Sequence, residues 1–393
     1  MKSANSKKIS RVLIIGGHLT PAFAVAEELL KKEGVKIIWV GHKHSQTGDK
    51  NLSAEYGLVT KKGIKFISLK SGKIWRKWTK NTFLKGLYNI IMLPIGYFRA
   101  LTILIIYKPD IILSFGGYLS VPVLTNFIIN KLNKSKIFIH VQTVRPDLST
   151  KLTTRFADAI FLSWNKSKQY FKGKNSKLTG NPIRTQLLND RVSNKLFDNN
   201  LPVLVVLGGN QGSNTFNRRL RLPILSKYLK EMNIVHQTGS SSITGDFQVA
   251  LKQREKLSKD LQEHYKVYNF ITVDELNNIY NQASLLLSRS GANTVYETMY
   301  KGTPAIFMPL PWASNNEQLE NAELAAETGL VKVFKFKDGL SEEELFDEVL
   351  RGIEQVKSRQ SFTKGISWSE AKKKANETII LDSAETIASL ILK

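Results

Sequence analysis

Short runs of β-branched and other apolar residues alternate along the chain with stretches of helical period, the pattern of an α/β protein with parallel sheets. Val12–Ile15 reads as a buried strand, Gly16-Gly17-His18 as a turn and Pro21–Lys32 as a helix. Thr20 is the expected N-cap, Pro21 the first helical position, and Gly34 stands where a C-cap belongs. Lys36–Val40, Ile111–Ser114 and Ile137–His140 are further predicted strands. The pattern restarts after Asn181-Pro182, with a strand at Val203–Leu207, a turn at Gly208-Gly209-Asn210-Gln211-Gly212 and a helix over Ser213–Tyr228. Strands are predicted at Ile234–Gln237, Ser284–Ser288, Pro304–Met308 and Val331–Phe334, and one last helix from about Ser369 to the end. Polar and turn-forming residues collect over Asn189–Asn200. The expectation is two doubly wound domains facing a cleft, residues 1–183 and 184–368, followed by a C-terminal helix, 369–393, that packs back on the first domain. Ligands in such folds bind beyond the carboxyl ends of the strands.

The length, 393 residues, suits two or three domains, and 42% hydrophobic with 23% charged residues excludes wholesale disorder. The absence of cysteine removes disulfides, cysteine-ligated metals and thiol nucleophiles. The net charge of +24 is unevenly spread. Residues 1–183 carry 31 basic and 8 acidic side chains, a net of +23, against 26 and 25 in the remainder. Nucleic acid or an anionic membrane surface would each account for that asymmetry. The apolar run Val12–Ile15 stops at Gly16-Gly17 with no cleavage-like site, so no secretory signal is expected. Phe83–Tyr107 is interrupted by Lys85, Pro94 and Arg99, which argues against a spanning helix and for a protein that stays on the cytoplasmic side.

Five strings could carry chemistry. Gly16–Pro21 lies between a strand and a helix, where glycines let a ligand approach the backbone and a helix N-terminus favours negative charge. His18 there suits a proton acceptor, or else merely caps the helix. Gly208–Gly212 repeats the arrangement in the second half and suits a diphosphate. Ser288–Thr294 is a third strand–turn–helix, with Glu297 one turn inside; that glutamate could hold both hydroxyls of a ribose or simply favour the helix dipole. Gln318 and Asn321 share a helix face, as a sugar site or a solvated surface would require. In Ser71–Tyr107, the cations Lys77 and Lys80 interleave with Ile74, Trp75, Trp78 and Phe83, as in an interfacial membrane anchor or a stacking surface for nucleic acid. His42 and His44 lack a third ligand nearby, and His236 is expected to line a cleft without a chemical role. No metal site is predicted.

Gly16–Pro21, Ser114–Pro122, Thr179–Arg184, Gly208–Gly212 and Ser288–Glu297 running on to Asn321, in that order, resemble the MurG family. These are glycosyltransferases with two Rossmann-like domains (the GT-B arrangement) that make the lipid-linked disaccharide precursor of peptidoglycan. The resemblance implies inverting transfer of N-acetylglucosamine from UDP-N-acetylglucosamine to an undecaprenyl-diphosphate-linked muramyl pentapeptide. The implied partners are the UDP-sugar, the lipid acceptor and an anionic membrane surface, with neither nucleic acid nor a metal cofactor. It further implies that Ile271 and Phe270 meet the uracil and Glu297 the ribose. Arg184, Gly209, Asn210, Gln211, Gly212, Ala292 and Thr294 would surround the diphosphate, and Gln318 and Asn321 the donor sugar. Gly16, Gly17, Gly116, Gly117, Tyr118, Gln142 and Thr143 would belong to the acceptor side, His18 would be the base, and Ile74–Phe98 would meet the membrane. The chain departs from the family in a first glycine turn three residues shorter, in His140-Val141-Gln142-Thr143 for His-Glu-Gln-Asn, in Asn210 for serine and in Glu317 for glutamine. A related transferase with another lipid acceptor, or a non-catalytic UDP-sugar-binding relative, is the alternative.

Overall fold

A computed structural model describes residues 9–44, 52–72, 83–117, 120–128, 134–189, 191–209, 212–239, 241, 244–311, 316–335 and 339–393. Two compact units emerge. The first comprises the chain up to Pro182 together with Leu381–Lys393, and the second runs from Ile183 to Ile380. The chain therefore passes between them twice.

The first unit is a seven-stranded sheet in the order β3-β2-β1-β4-β5-β6-β7. Its strands are β1 (Ser10–Ile15), β2 (Val35–Gly41), β3 (Lys65–Ser68), β4 (Ile111–Ser114), β5 (Lys136–Val141), β6 (Ala159–Leu162) and β7 (Ser176–Leu178). The second is a six-stranded sheet in the order β10-β9-β8-β11-β12-β13. These are β8 (Val203–Leu207), β9 (Asn233–Gln237), β10 (Tyr265–Tyr268), β11 (Leu285–Ser288), β12 (Ala305–Phe307) and β13 (Val331–Val333). Every ladder is parallel, which explains why the central strands are apolar on both faces. In both sheets the first strand pairs with the second on one side and the fourth on the other, so the order reverses there. Register brings Ile15 beside Ser114 and Leu207 beside Ser288, so one pair of turns leaves each sheet side by side at its switch point.

Several elements differ from the sequence expectation, each for a local reason. The first helix is Leu19–Leu30, with His18 rather than Thr20 at the N-cap and Lys31 rather than Gly34 at the C-cap. Pro21 is tolerated inside it because first-turn N–H groups have no intrahelical partner. Ser213–Tyr228 is two helices, Asn214–Asn217 and Leu222–Tyr228, separated at Arg221, whose extended backbone precedes a proline-led turn. The closing helix is also two, Trp368–Thr378 and Ser383–Ile391. The Tyr296 hydroxyl holds the break by donating to the Ile380 carbonyl at 3.1 Å and accepting from its N–H at 2.7 Å. Ile387 and Ile391 are buried in the core of the first unit with Val25 and Leu29. Phe83–Tyr107 is one uninterrupted helix despite Pro94. By length and composition alone, Gly86–Tyr107 could cross a membrane, and little of it is buried.

Candidate active site

In the second unit the β11 turn starts the helix Ala292–Lys301, with Gly291 at its N-cap. Glu297 faces inward from that helix and is buried. Arg184, entering from the segment before β8, places Nη2 3.7 Å from Glu297 Oε1. That is ion-pair contact without a hydrogen bond. Burial pushes the Glu297 carboxyl up, and the Arg184 guanidinium pulls it back down. The Arg184 Nε is buried with no hydrogen-bond partner. A buried pair held this loosely still lacks donors for the carboxylate and an acceptor for the guanidinium. Ala292 and Thr294 stand half-buried in the same helix start.

The β8 turn leaves alongside. Gly209 is exposed with φ +80° and open space around it. Gly212, also at φ +80°, packs so tightly on the end of β9 that an added Cβ would fall 1.8 Å from the Thr238 carbonyl oxygen. Gly212→Ala should therefore cost about 2 kcal/mol or more, read as a lower melting temperature. Asn210 and Gln211 lie outside the described residues. The adjoining helix is anchored by Asn217, whose Nδ2 donates to Thr238 O at 2.9 Å and Asp246 Oδ2 at 2.8 Å. Asn217 Oδ1 must therefore accept from His236 Nε2 at 2.9 Å, leaving His236 Nδ1 to accept from the Tyr265 hydroxyl at 2.8 Å. Burial lowers the His236 pKa to about 3. This histidine is thus an interior brace rather than a cleft lining.

Sequence reasoning gave Arg289 no role. It follows β11, and its Nε donates to Ser213 Oγ at 2.9 Å, bringing a half-buried cation to the β8 turn. Desolvation lowers its pKa. Its place next to a strand end was the available signal. Gln318 is half-buried, with Oε1 accepting from Leu310 N at 3.1 Å, while Ser290 Oγ donates to the Gln318 carbonyl at 2.6 Å. Asn321 is buried and donates to Ser290 O at 3.4 Å, tying its helix to the β11 turn. Ile271 is buried and Phe270 half-buried at the turn before the capped helix Val273–Gln282.

In the first unit, Gly17 (φ +37°) and Gly116 (φ +84°) bring the β1 and β4 turns together; a Cβ on Gly17 would sit 2.2 Å from Gly116 O. His18 is exposed and makes no side-chain cap bond. Surrounding protein lowers its pKa and Asp147 opposes this, yet the ring remains open to solvent. Gln142 is buried, with Nε2 donating to Phe115 O at 3.2 Å. Thr143 Oγ1 is taken up locally, donating to Arg145 O at 2.7 Å. Gly117 is half-buried and Tyr118 lies outside the described residues, as do Ile74, Trp75, Lys77, Trp78 and Lys80. Phe83 is described and exposed. Among the described residues no three His, Asp or Glu side chains gather as a metal site.

Residues 15–162 match the glycosyltransferase family 28 N-terminal domain and residues 203–379 the C-terminal domain of the same family. The chain is 31% identical over 370 residues to the UDP-N-acetylglucosamine--N-acetylmuramyl-(pentapeptide) pyrophosphoryl-undecaprenol N-acetylglucosamine transferase of Clostridium perfringens, covering 92% of this chain and 94% of that one. With the protein of that name from Treponema denticola it shares 30% over 359 residues, 87% and 89% of the two chains. Among solved structures, MurG of Acinetobacter baumannii superposes with a TM-score of 0.62 at 22% identity, covering 98% and 99%. The calicheamicin glycosyltransferase CalG4 gives 0.62 at 12% identity and 98% of each chain. The two parallel sheets have the architecture shared by these GT-B enzymes, and with relatives of this identity over nearly its whole length the chain is a glycosyltransferase that belongs to the MurG family.

Proposed function

We propose that the chain transfers N-acetylglucosamine from UDP-N-acetylglucosamine to undecaprenyl-diphosphate-linked N-acetylmuramyl pentapeptide, with inversion. The observation that carries the donor half of this reading is the buried Arg184–Glu297 pair beside two glycine turns at a switch point. A ribose supplies the hydroxyl donors Glu297 lacks, and the diphosphate supplies the acceptors that Arg184 and the helix starts lack. Ile271 and Phe270 frame the uracil, and Gln318 and Asn321 flank the sugar. The acceptor hydroxyl attacks the anomeric carbon, the bond to the UDP oxygen breaks, and His18 takes the hydroxyl proton. The negative charge that grows on UDP is met by Arg184 and backbone amides.

The acceptor's lipid tail calls for a membrane surface, on the cytoplasmic face of the cell membrane. Two features support contact with it: the +23 charge of residues 1–183, and a stripe of exposed apolar side chains, Leu84, Tyr88, Ile91, Ile95 and Phe98, along the helix Phe83–Tyr107. The test is transfer of labelled N-acetylglucosamine from the UDP-sugar to the muramyl lipid by the purified full chain. UDP at 100 times its Kd should also stabilise the protein by about 2.7 kcal/mol. No transfer, or no UDP-dependent rise in melting temperature, overturns the reading.

A further inference from the structure

Between the helical turn Thr185–Leu188 and β8, the described residues of 189–202 form neither helix nor strand. Backbone groups in such a segment have no ladder to join, and those that leave water need other partners. Side-chain amides of the capped helix Val273–Gln282 supply them. Asn277 with Asn281, and Asn278 with Gln282, form two pairs at the spacing that puts side chains on one helix face. Asn278 Nδ2 donates to Asn194 O at 2.9 Å, and its Oδ1 accepts from Ser193 N at 3.1 Å. Gln282 repeats the exchange: Nε2 donates to Asn194 O at 2.8 Å and Oε1 accepts from Leu196 N at 2.9 Å. These amides carry the donor and acceptor of a peptide group, so together they stand in for the edge of a strand.

The other pair converges on one atom. Asn189 O accepts from Asn277 Nδ2 at 2.7 Å, from Asn281 Nδ2 at 3.3 Å and from Lys301 Nζ at 3.1 Å. Asn277 is buried, and Lys301 closes the helix Ala292–Lys301 that bears Glu297. One carbonyl is thus tied both to the helix of Glu297 and to the helix before it. A single short turn separates this carbonyl from Arg184, with Leu187 N donating to Arg184 O at 2.9 Å and the Leu187 side chain buried. Tyr280, on the same helix as Asn277, is buried against the ion pair: burial and the Glu297 charge push its hydroxyl pKa up, and Arg184 draws it down. With Glu297 at 3.7 Å and no hydrogen-bond partner on Nε, the Arg184 guanidinium is placed by the backbone that carries it rather than by bonds of its own.

We infer that Asn277 and Lys301 are positioning residues for the donor: by fixing Asn189 O they hold the Arg184 guanidinium where it meets the diphosphate. Asn278 and Gln282 keep the segment that follows from pulling this anchor away. The inference rests on the transferase reading above.

Titration of the purified full chain with UDP and, by competition, with uridine separates a positional effect from a loss of structure. Asn277→Ala should weaken UDP about tenfold and uridine by less than about threefold, since uridine lacks the phosphates that Arg184 meets. A dissociation constant reports the folded molecules in the sample. Lys301→Met, at a half-buried position, gives the same test with a loss of about threefold should the alanine variant fold poorly. The cycle with Arg184→Ala is the sharper measurement: once the guanidinium is gone, Asn277→Ala should cost less than about a further twofold in UDP affinity. UDP affinity within about twofold of wild type in both single variants overturns the inference, as do parallel losses of UDP and uridine or a full tenfold loss on top of Arg184→Ala. All three leave the transferase reading standing. A wild type that binds no UDP overturns that reading and this inference with it.

Discussion

Replacing Glu297 with alanine should lower kcat/KM for the UDP-sugar by about 100-fold, ~2.7 kcal/mol of lost transition-state stabilisation. The loss has two sources. In the proposed binding mode the ribose hydroxyls lose their acceptor, and the Arg184 guanidinium, 15% exposed, is left buried beside an empty space where its counter-charge stood 3.7 Å away. Glu297→Gln keeps an acceptor oxygen and should recover part of the loss. Steady-state kinetics with the donor varied at saturating acceptor measures this, and the acceptor KM should stay within about twofold. The melting temperature should also fall, so kcat/KM must be normalised to the folded fraction. A donor kcat/KM within threefold of wild type after that correction would falsify the assignment of Glu297.

His18→Ala should reduce kcat by about 1,000-fold while leaving the donor KM nearly unchanged, the signature of a group needed in the transition state rather than for binding. The pH profile gives an independent check. In the proposed mechanism the neutral imidazole is the base, so activity should be present above its pKa and lost as pH falls through it. Since crowding lowers that pKa below the ordinary 6.5, the acid limb of the wild-type profile should lie below pH 6.5. The alanine variant should lose that limb. An unchanged limb in the variant would assign it to another group and remove His18 from the role of base.

Most of the frame of both sheets could be read from hydrophobic pattern. Ile111–Ser114 and Val203–Leu207 are continuous apolar runs with turn residues after them, and both are strands with the expected bounds. The four strands not anticipated, β3, β6, β7 and β10, are three or four residues long. Of these, β3, β7 and β10 lie at sheet edges, where half-exposure breaks up the apolar run. The glycine turns were legible because a strand, a glycine pair and a helix start are contiguous in sequence. What remained hidden depends on strand order. Glu55 meets Gly16 only because β2 lies next to β1, and Arg289 reaches Ser213 only because β11 lies next to β8. Glu297 is similar: its place on a helix was readable, but its burial against Arg184, more than a hundred residues earlier, was not. Asn321 shows the converse. Helical spacing puts it on a face with Gln318, yet it is buried and spends an N–H on Ser290, a contact that periodicity cannot distinguish from a solvated one.

The helix Ser383–Ile391 completes the core of the unit that contains β1, although nearly four hundred residues of chain separate its end from the start of that strand. During synthesis, then, the second unit can close its own sheet as soon as its last strand and covering helices leave the ribosome. The first must wait, with the apolar flank of Leu19–Leu30 bare, until Ser383–Ile391 has been made. A chain cut just before Ser383 would spare every residue of the second unit and still leave the first with an unsealed interior, prone to aggregation and to capture by chaperones.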